Sequence, residues 1–261
     1  MTPWDLISAL FYPVDEQLHA LPKHPAAHLW PSEVGTVGLL HARKGGGNRA
    51  FHCWLTRAYR SVLPRLPERT RLFRLCKTHQ DWTRAFLAAP TGLGVLDTSG
   101  SERIDPLREG RSPQHIGRQG LANHRWIVGG KLCLWLHQDG LVVGWDGATA
   151  HVPAHTLQWL IQQVDGRRMV LSDTGFHAAA GAPANRKLGQ RGEWQDRMLV
   201  ETVRSMLTLV CHGKKVMHRV WTYFHARLAC TMAAFQVLVQ WHGLQPNTSG
   251  VVPLSIAAFS L

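Results

Sequence analysis

Gly92-Leu93-Gly94-Val95-Leu96-Asp97 is the stretch whose reading decides the fold class. A short apolar run that ends at an acidic residue predicts a buried strand, and it follows Pro90, where the character of the chain changes. Residues 1 to about 90 before it read as helical. Asn48 is placed to cap a helix reaching about Leu63, with Phe51, Trp54, Leu55, Ala58 and Val62 at helical spacing. Pro64 and Pro67 break that pattern, and Glu68 to Leu87 resumes it through Leu72, Leu75, Trp82 and Phe86. Gly45-Gly46-Gly47 predicts a loop between helices.

Beyond Asp97, the Arg- and Gly-rich stretch from Arg103 to Arg125 reads as an irregular loop. Trp126 to His137 and Leu141 to Trp145 predict two strands joined at Asp139-Gly140, a hairpin signal. Thr156 to Val164 predicts a helix with Leu157, Leu160, Ile161 and Val164 on one face. Met169 to Leu171 is a second short apolar run, and it ends at Ser172-Asp173. From Trp194 to about Trp241 the chain reads as helical, interrupted near Gly213, and no clear fifth strand is visible between Asp173 and Glu201. The expected class is mixed α/β. Residues 1–90 form a helical N-terminal region, 91–242 a mixed core and 243–261 a loose tail.

Composition narrows the partners. Lys and Arg number 29 against 17 acidic residues, a net charge of +12, which favours an anionic partner and nucleic acid first. Pro3 and Asp5 with no basic start argue against a secretory signal, and no apolar run reaches the roughly 18 residues of a membrane span. Cys53, Cys76, Cys133, Cys211 and Cys230 are odd in number and scattered, so reduced thiols are expected rather than a disulfide framework or zinc finger.

Three carboxylates stand out. Asp97 and Asp173 each close an apolar strand, and Glu201 lies on the following helix. There Arg197, Glu201, Arg204 and Thr208 share one face, while Val200, Val203, Leu207 and Val210 supply an apolar side that can pack on a sheet. Strand ends suit metal ligands because backbone pairing fixes the position while the side chain stays accessible. Oxygen donors suit Mg²⁺, and phosphoryl transfer on two cations needs several such donors together. Each residue also has an ordinary reading: turn-forming aspartates and a helical ion-pair row. Asp97-Thr98-Ser99-Gly100 and Asp173-Thr174-Gly175 also resemble the aspartic protease signature, which the helical, basic character of the chain opposes. His151 and His155 straddle Pro153 without the Glu of a zincin motif, so no zinc site is expected there.

In order and spacing these elements resemble the insertion-sequence transposases of the Asp-Asp-Glu type, which have a ribonuclease H-like catalytic core. Gly94-Val95-Leu96-Asp97-Thr98-Ser99 is similar to the first element of that family and Leu171-Ser172-Asp173-Thr174-Gly175-Phe176 to the second. Trp194-Gln195-Asp196-Arg197-Met198-Leu199-Val200-Glu201 is similar to the third, in which an aromatic precedes Arg and Glu; Trp194 stands where Tyr is usual. Arg219 to Leu228 and Ala233-Ala234-Phe235 resemble its helical tail, so the likeness covers about residues 35 to 240. Thr208 departs from it, because the family has a Lys there. The resemblance implies a mixed central sheet flanked by helices, with Asp97, Asp173 and Glu201 as catalytic and metal-binding residues. It implies Mg²⁺ or Mn²⁺ as cofactor, two ions together. Water would free a 3′-hydroxyl at the ends of the element, and that hydroxyl would then attack target DNA.

Double-stranded DNA is thus the expected partner, held by a homodimer or higher assembly in the bacterial cytoplasm beside the nucleoid. Arg111, Arg118 and Arg125 after the first Asp, Arg197 and Arg204 on the Glu201 helix, and Lys214 and Lys215 beyond it are the expected phosphate contacts. The alternative is a catalytically inactive, transposase-derived DNA-binding protein, to which Thr208 points.

Overall fold

Neighbouring residues of a strand face opposite sides of its sheet. Val95 and Leu96 are both buried, so β1 (Leu93–Ile104) has to be covered on both faces. The computed structural model describes residues 3–104, 109, 116, 118–122, 125–137, 139–163, 168–172, 176, 183–188, 194–213, 218, 220–243 and 248. Within them lie β2 (Gly120–Ala122), β3 (Arg125–His137), β4 (Val142–Thr149), β5 (Met169–Ser172) and β6 (Arg186–Leu188). β3 runs antiparallel to β1, and β4 antiparallel to β3. On the other side of β1, β5 runs parallel to it and β6 parallel to β5. The sheet order is β2-β3-β1-β5-β6, with β4 also paired to β3. This is a mixed sheet flanked by helices.

One face carries Val95, Leu134, Leu136 and Val142. It packs with α6 (Trp194–Leu209), α7 (Trp221–Trp241) and the N-terminal helices α1 (Pro3–Leu18), α2 (Pro31–Lys44), α3 (Asn48–Ala58) and α4 (Arg69–Thr78). The other face carries Leu96, Cys133, Trp135 and Val170, covered by Leu157, Phe176 and the Leu160 and Ile161 side chains of α5 (Trp159–Gln162). Every residue of α7 from Ala226 to Val239 is buried, as expected for a helix with apolar residues all round. One of its buried polar groups, Gln236, is answered by backbone: Oε1 accepts from Val142 N–H at 3.2 Å and Nε2 donates to Val142 O at 3.3 Å. That pair docks α7 on β4.

Trp135 explains two glycines. Its indole lies against Gly94 and Gly144 on the strands either side of β3, and a Cβ on Gly94 would overlap its Nε1. At Asp139-Gly140 the chain reverses as predicted, with Gly140 at φ 87°, a left-handed value that favours glycine. Gly45 and Gly46 (φ 74° and 81°) form the loop expected between α2 and α3.

Several expectations change. Gly47, in extended conformation, is the N-cap of α3 in place of Asn48, and the helix ends at Ala58 rather than near Leu63. With the glycine already turned out of the helix, Asn48 becomes its first residue. Glu68 does start a helix, its side chain accepting from Thr70 N–H, but after Thr78 the chain tightens into a 3₁₀ segment, Gln80–Phe86. The helix expected over Thr156 to Val164 is a 3₁₀ turn, Ala154–Leu157, followed by the short α5; Val164 lies outside the described residues. Part of the loop expected from Arg103 to Arg125 is strand β2. A fifth core strand, β6, does exist, although only three residues long: its polar Arg-Lys-Leu sequence has no strand periodicity, and pairing with β5 is what extends it. No helix among the described residues is long and apolar enough to cross a membrane.

Candidate active site

Asp97 does not end its strand. It is the fifth residue of β1, which continues to Ile104 because β3 pairs with it along that length. What ends near Asp97 is the parallel neighbour: β5 pairs with β1 from Leu93 to Leu96 and stops at Ser172. Asp97 thus stands one residue past the described β1–β5 register. Its carboxylate side chain is 14% exposed, and Oδ1 accepts from the Thr98 N–H at 2.8 Å.

Glu201 approaches from α6. Leu199, Val200, Val203, Met206 and Leu207 are buried, so the apolar side of this helix packs down on the sheet and turns its polar side to the edge of β1. Asp97 shares a face of β1 with Val95, the face on which α6 packs. Arg204, one turn beyond Glu201, connects the two carboxylates. Its Nη1 lies 3.2 Å from Glu201 Oε1 and 3.8 Å from Asp97 Oδ2. Two oxygens that share one nitrogen at those distances are at most about 7 Å apart. Carboxylates that bind the two ends of a metal pair, with ions roughly 4 Å apart and oxygens about 2 Å from each ion, are up to about 8 Å apart. The spacing of Asp97 and Glu201 lies within that reach.

The third residue, Asp173, lies outside the described residues. The register beside it is described: Ser172, immediately before Asp173 in sequence, pairs with Leu96, immediately before Asp97. Among the described residues no three His, Cys, Asp or Glu side chains converge. The two acidic groups that do meet offer hard oxygen donors suited to Mg²⁺ or Mn²⁺.

A small solvent-open cleft of about 50 Å³ lies between β1, β3, α6 and α7, with Arg204 on its wall. Ser99 and Ser101 form its β1 wall, on the same strand face as Asp97, and Arg204 and Thr208 lie on its α6 wall. Thr208 is the position where the resemblance expects Lys, and it stands one helical turn from Arg204.

The other expected contacts are dispersed. Arg118 and Arg125 are exposed, next to β2 and at the start of β3. Arg197 is described only as backbone of α6, and Arg111, Lys214 and Lys215 lie outside the described residues. Arg186 was not expected: it is on β6 and donates from Nε to Ser172 Oγ at 2.6 Å, tying the short strand to the end of β5. No motif marks it in the sequence, because its partner is 14 residues away and only strand pairing brings it close. His151 lies beside Thr149, with Nδ1 3.1 Å from the hydroxyl. Compared with family models, with curated proteins and with solved structures, the chain matches none.

Proposed function

We propose that this chain is a transposase of the Asp-Asp-Glu type with a ribonuclease H-like core, cutting DNA at element ends and joining them to target DNA. The observation that supports this best is the approach of Asp97 and Glu201, 104 positions apart in sequence, to a single guanidinium at the end of a two-sided sheet. The strand order supports the same reading. An antiparallel β1-β3-β4 half and a parallel β1-β5-β6 half, with Asp97 on a strand shared by both, agree with the mixed central sheet flanked by helices that the resemblance implies.

On this reading Asp97, Asp173 and Glu201 hold two Mg²⁺ or Mn²⁺ ions. When bound, these cations supply Lewis-acid activation of the attacking oxygen and neutralise charge at the phosphate. The protein supplies placement. Pairing with β3 holds the backbone of Asp97 rigid, and the buried side of α6 sets the height of Glu201 above it. Arg204 keeps the carboxylates neutralised before DNA arrives and then turns to a phosphate. One turn from Thr208, it supplies the cation that the family draws from Lys. The surface carrying Ser99, Ser101 and Arg204 receives the strand to be cut, and a protein of net charge +12 draws DNA to it. Bringing two ends together calls for a dimer or higher assembly on the DNA.

Thr208 in place of Lys favours a second reading, a DNA-binding protein that no longer cuts. One assay separates them: nicking of end-containing duplex DNA with and without Mg²⁺, by the parent, Asp97→Ala and Asp173→Asn. The transposase reading expects Mg²⁺-dependent nicks from the parent alone. Both variants should bind DNA at least as well, since removing negative charge beside phosphates does not weaken binding. Nicking at the parental rate by either variant refutes the assignment. Absence of nicking by all three proteins favours the inactive binder.

A further inference from the structure

On a neighbouring face of α7, away from the carboxylates, a buried cation lies at the base of a pocket that has no acidic lining residue among the described residues. Arg227 is 6% exposed, and its Nη1 is buried with no hydrogen-bond partner among them. The pocket above it lies where α2, α4 and α7 meet and is lined by His41, Lys77, His218 and Tyr223 as well. Lys77 lies over the ring of Tyr223, 5.1 Å from its centroid, and the His218 ring stacks with the same ring at 6.3 Å between centroids. Lys77, His218 and Tyr223 are half-buried and form the mouth, while His41 and Arg227 are buried and form the floor. The remaining lining is apolar or thiol.

A buried guanidinium is costly unless a counter-charge or hydrogen-bond acceptor answers it. Here the protein places a further positive charge near it, the Lys77 ammonium, with the His218 imidazole and Tyr223 beside it, and no carboxylate lines the pocket among the described residues. We infer that this pocket is a binding site for a phosphate-type oxyanion, with Arg227 at its floor and Lys77 and His218 at its mouth. Planar guanidinium donors match phosphate oxygens in geometry, and a mouth built of Lys and His adds point charge without closing the entrance. Free phosphate and a phosphate of a nucleic-acid backbone share this chemistry. The inference does not depend on the transposase reading, because it uses none of Asp97, Asp173 and Glu201.

The probe is inorganic phosphate, titrated into the full chain at fixed pH with chloride keeping ionic strength constant, and read by calorimetry and by Tm. A saturable heat and a rising Tm are expected. Lys77→Ala and His218→Ala, both at half-exposed positions where folding survives, should each weaken phosphate binding roughly tenfold, the usual effect of losing one charge-assisted contact. Arg227→Met, which retains the apolar stem, should abolish it. A short duplex distinguishes the sources. If phosphate competes with the duplex beyond the effect of equal ionic strength, and Lys77→Ala weakens duplex binding, the backbone is the occupant. If duplex binding is indifferent to both, the ligand is a free anion. Lack of saturable phosphate binding by the parent, or equal binding by the parent, Lys77→Ala and His218→Ala, overturns the inference.

Discussion

Replacing Arg204 by Met should tighten divalent-metal binding. Arg204 holds Glu201 at 3.2 Å and Asp97 at 3.8 Å, and metal ions at those carboxylates would require it to leave both. By Coulomb's law each contact is worth about 1 kcal/mol in water, and measured exposed pairs fall at roughly 0.2–1 kcal/mol. The Glu201 side chain is 62% exposed, which puts its pair at the lower end, whereas the 14% exposure of Asp97 puts the other at the upper end. Together they oppose metal loading by about 1 kcal/mol, a factor of roughly five. Met keeps the apolar stem of Arg and removes the charge. Titration calorimetry with Mn²⁺ should therefore give a Kd about fivefold lower for Arg204→Met than for the parent, while Arg204→Met/Asp97→Asn loses the heat of binding. Equal affinities for parent and Arg204→Met, or Mn²⁺ binding that survives Asp97→Asn, would refute the reasoning that these carboxylates form a metal site with Arg204 as its counter-ion.

Three other perturbations test the fold around this site. Gly94→Ala puts a methyl group into the Trp135 indole and should cost about 1–3 kcal/mol in urea unfolding; a neutral result would mean that the indole does not cover β1. Gln236→Leu leaves Val142 N–H buried without its acceptor and should destabilise by about 1–3 kcal/mol, with Gln236→Glu recovering part of the loss if the Oε1 contact is the one that matters. Burial first, and the nearby Arg227 guanidinium second, hold His41 well below the ordinary imidazole range. Between pH 7.5 and 5.5 the unfolded chain therefore takes up a proton there that the folded chain refuses. Stability from this group is complete above about pH 6.5 and lost below it, about 1 kcal/mol by pH 5.5. In phosphate-free buffer His41→Gln should show a correspondingly smaller drop in urea midpoint over that range, and identical slopes would count against a buried neutral His41.

Local chemistry was legible in the residues themselves. Leu93 to Leu96 and Met169 to Leu171 are short apolar runs of strand length, and both are strands; Asp139-Gly140 marks a turn in which Gly140 takes a positive φ. The face of α6 that joins Glu201 to Arg204 follows from the helical period alone. The polar segment Arg186–Leu188 could not be recognised as a strand, since nothing in it is apolar and periodic; it is extended because β5 offers an unpaired edge. Nor could sequence show that β1 runs past Asp97, because its later residues, Thr98 to Glu102, are polar and only pairing with β3 keeps them in the sheet.

Sequence by itself determined which residues were acidic, which runs would be buried and which helix face Glu201 would share, because these depend on neighbours within a turn or two of chain. Tertiary structure alone decided that Asp97 lies where β5 stops, that Arg204 reaches it from α6, and that Arg227 is buried beside His41 on another side of α7. Those contacts join residues more than 70 positions apart, and their geometry is set by how strands and helices pack in the sheet, a property of the whole core rather than of any segment in it.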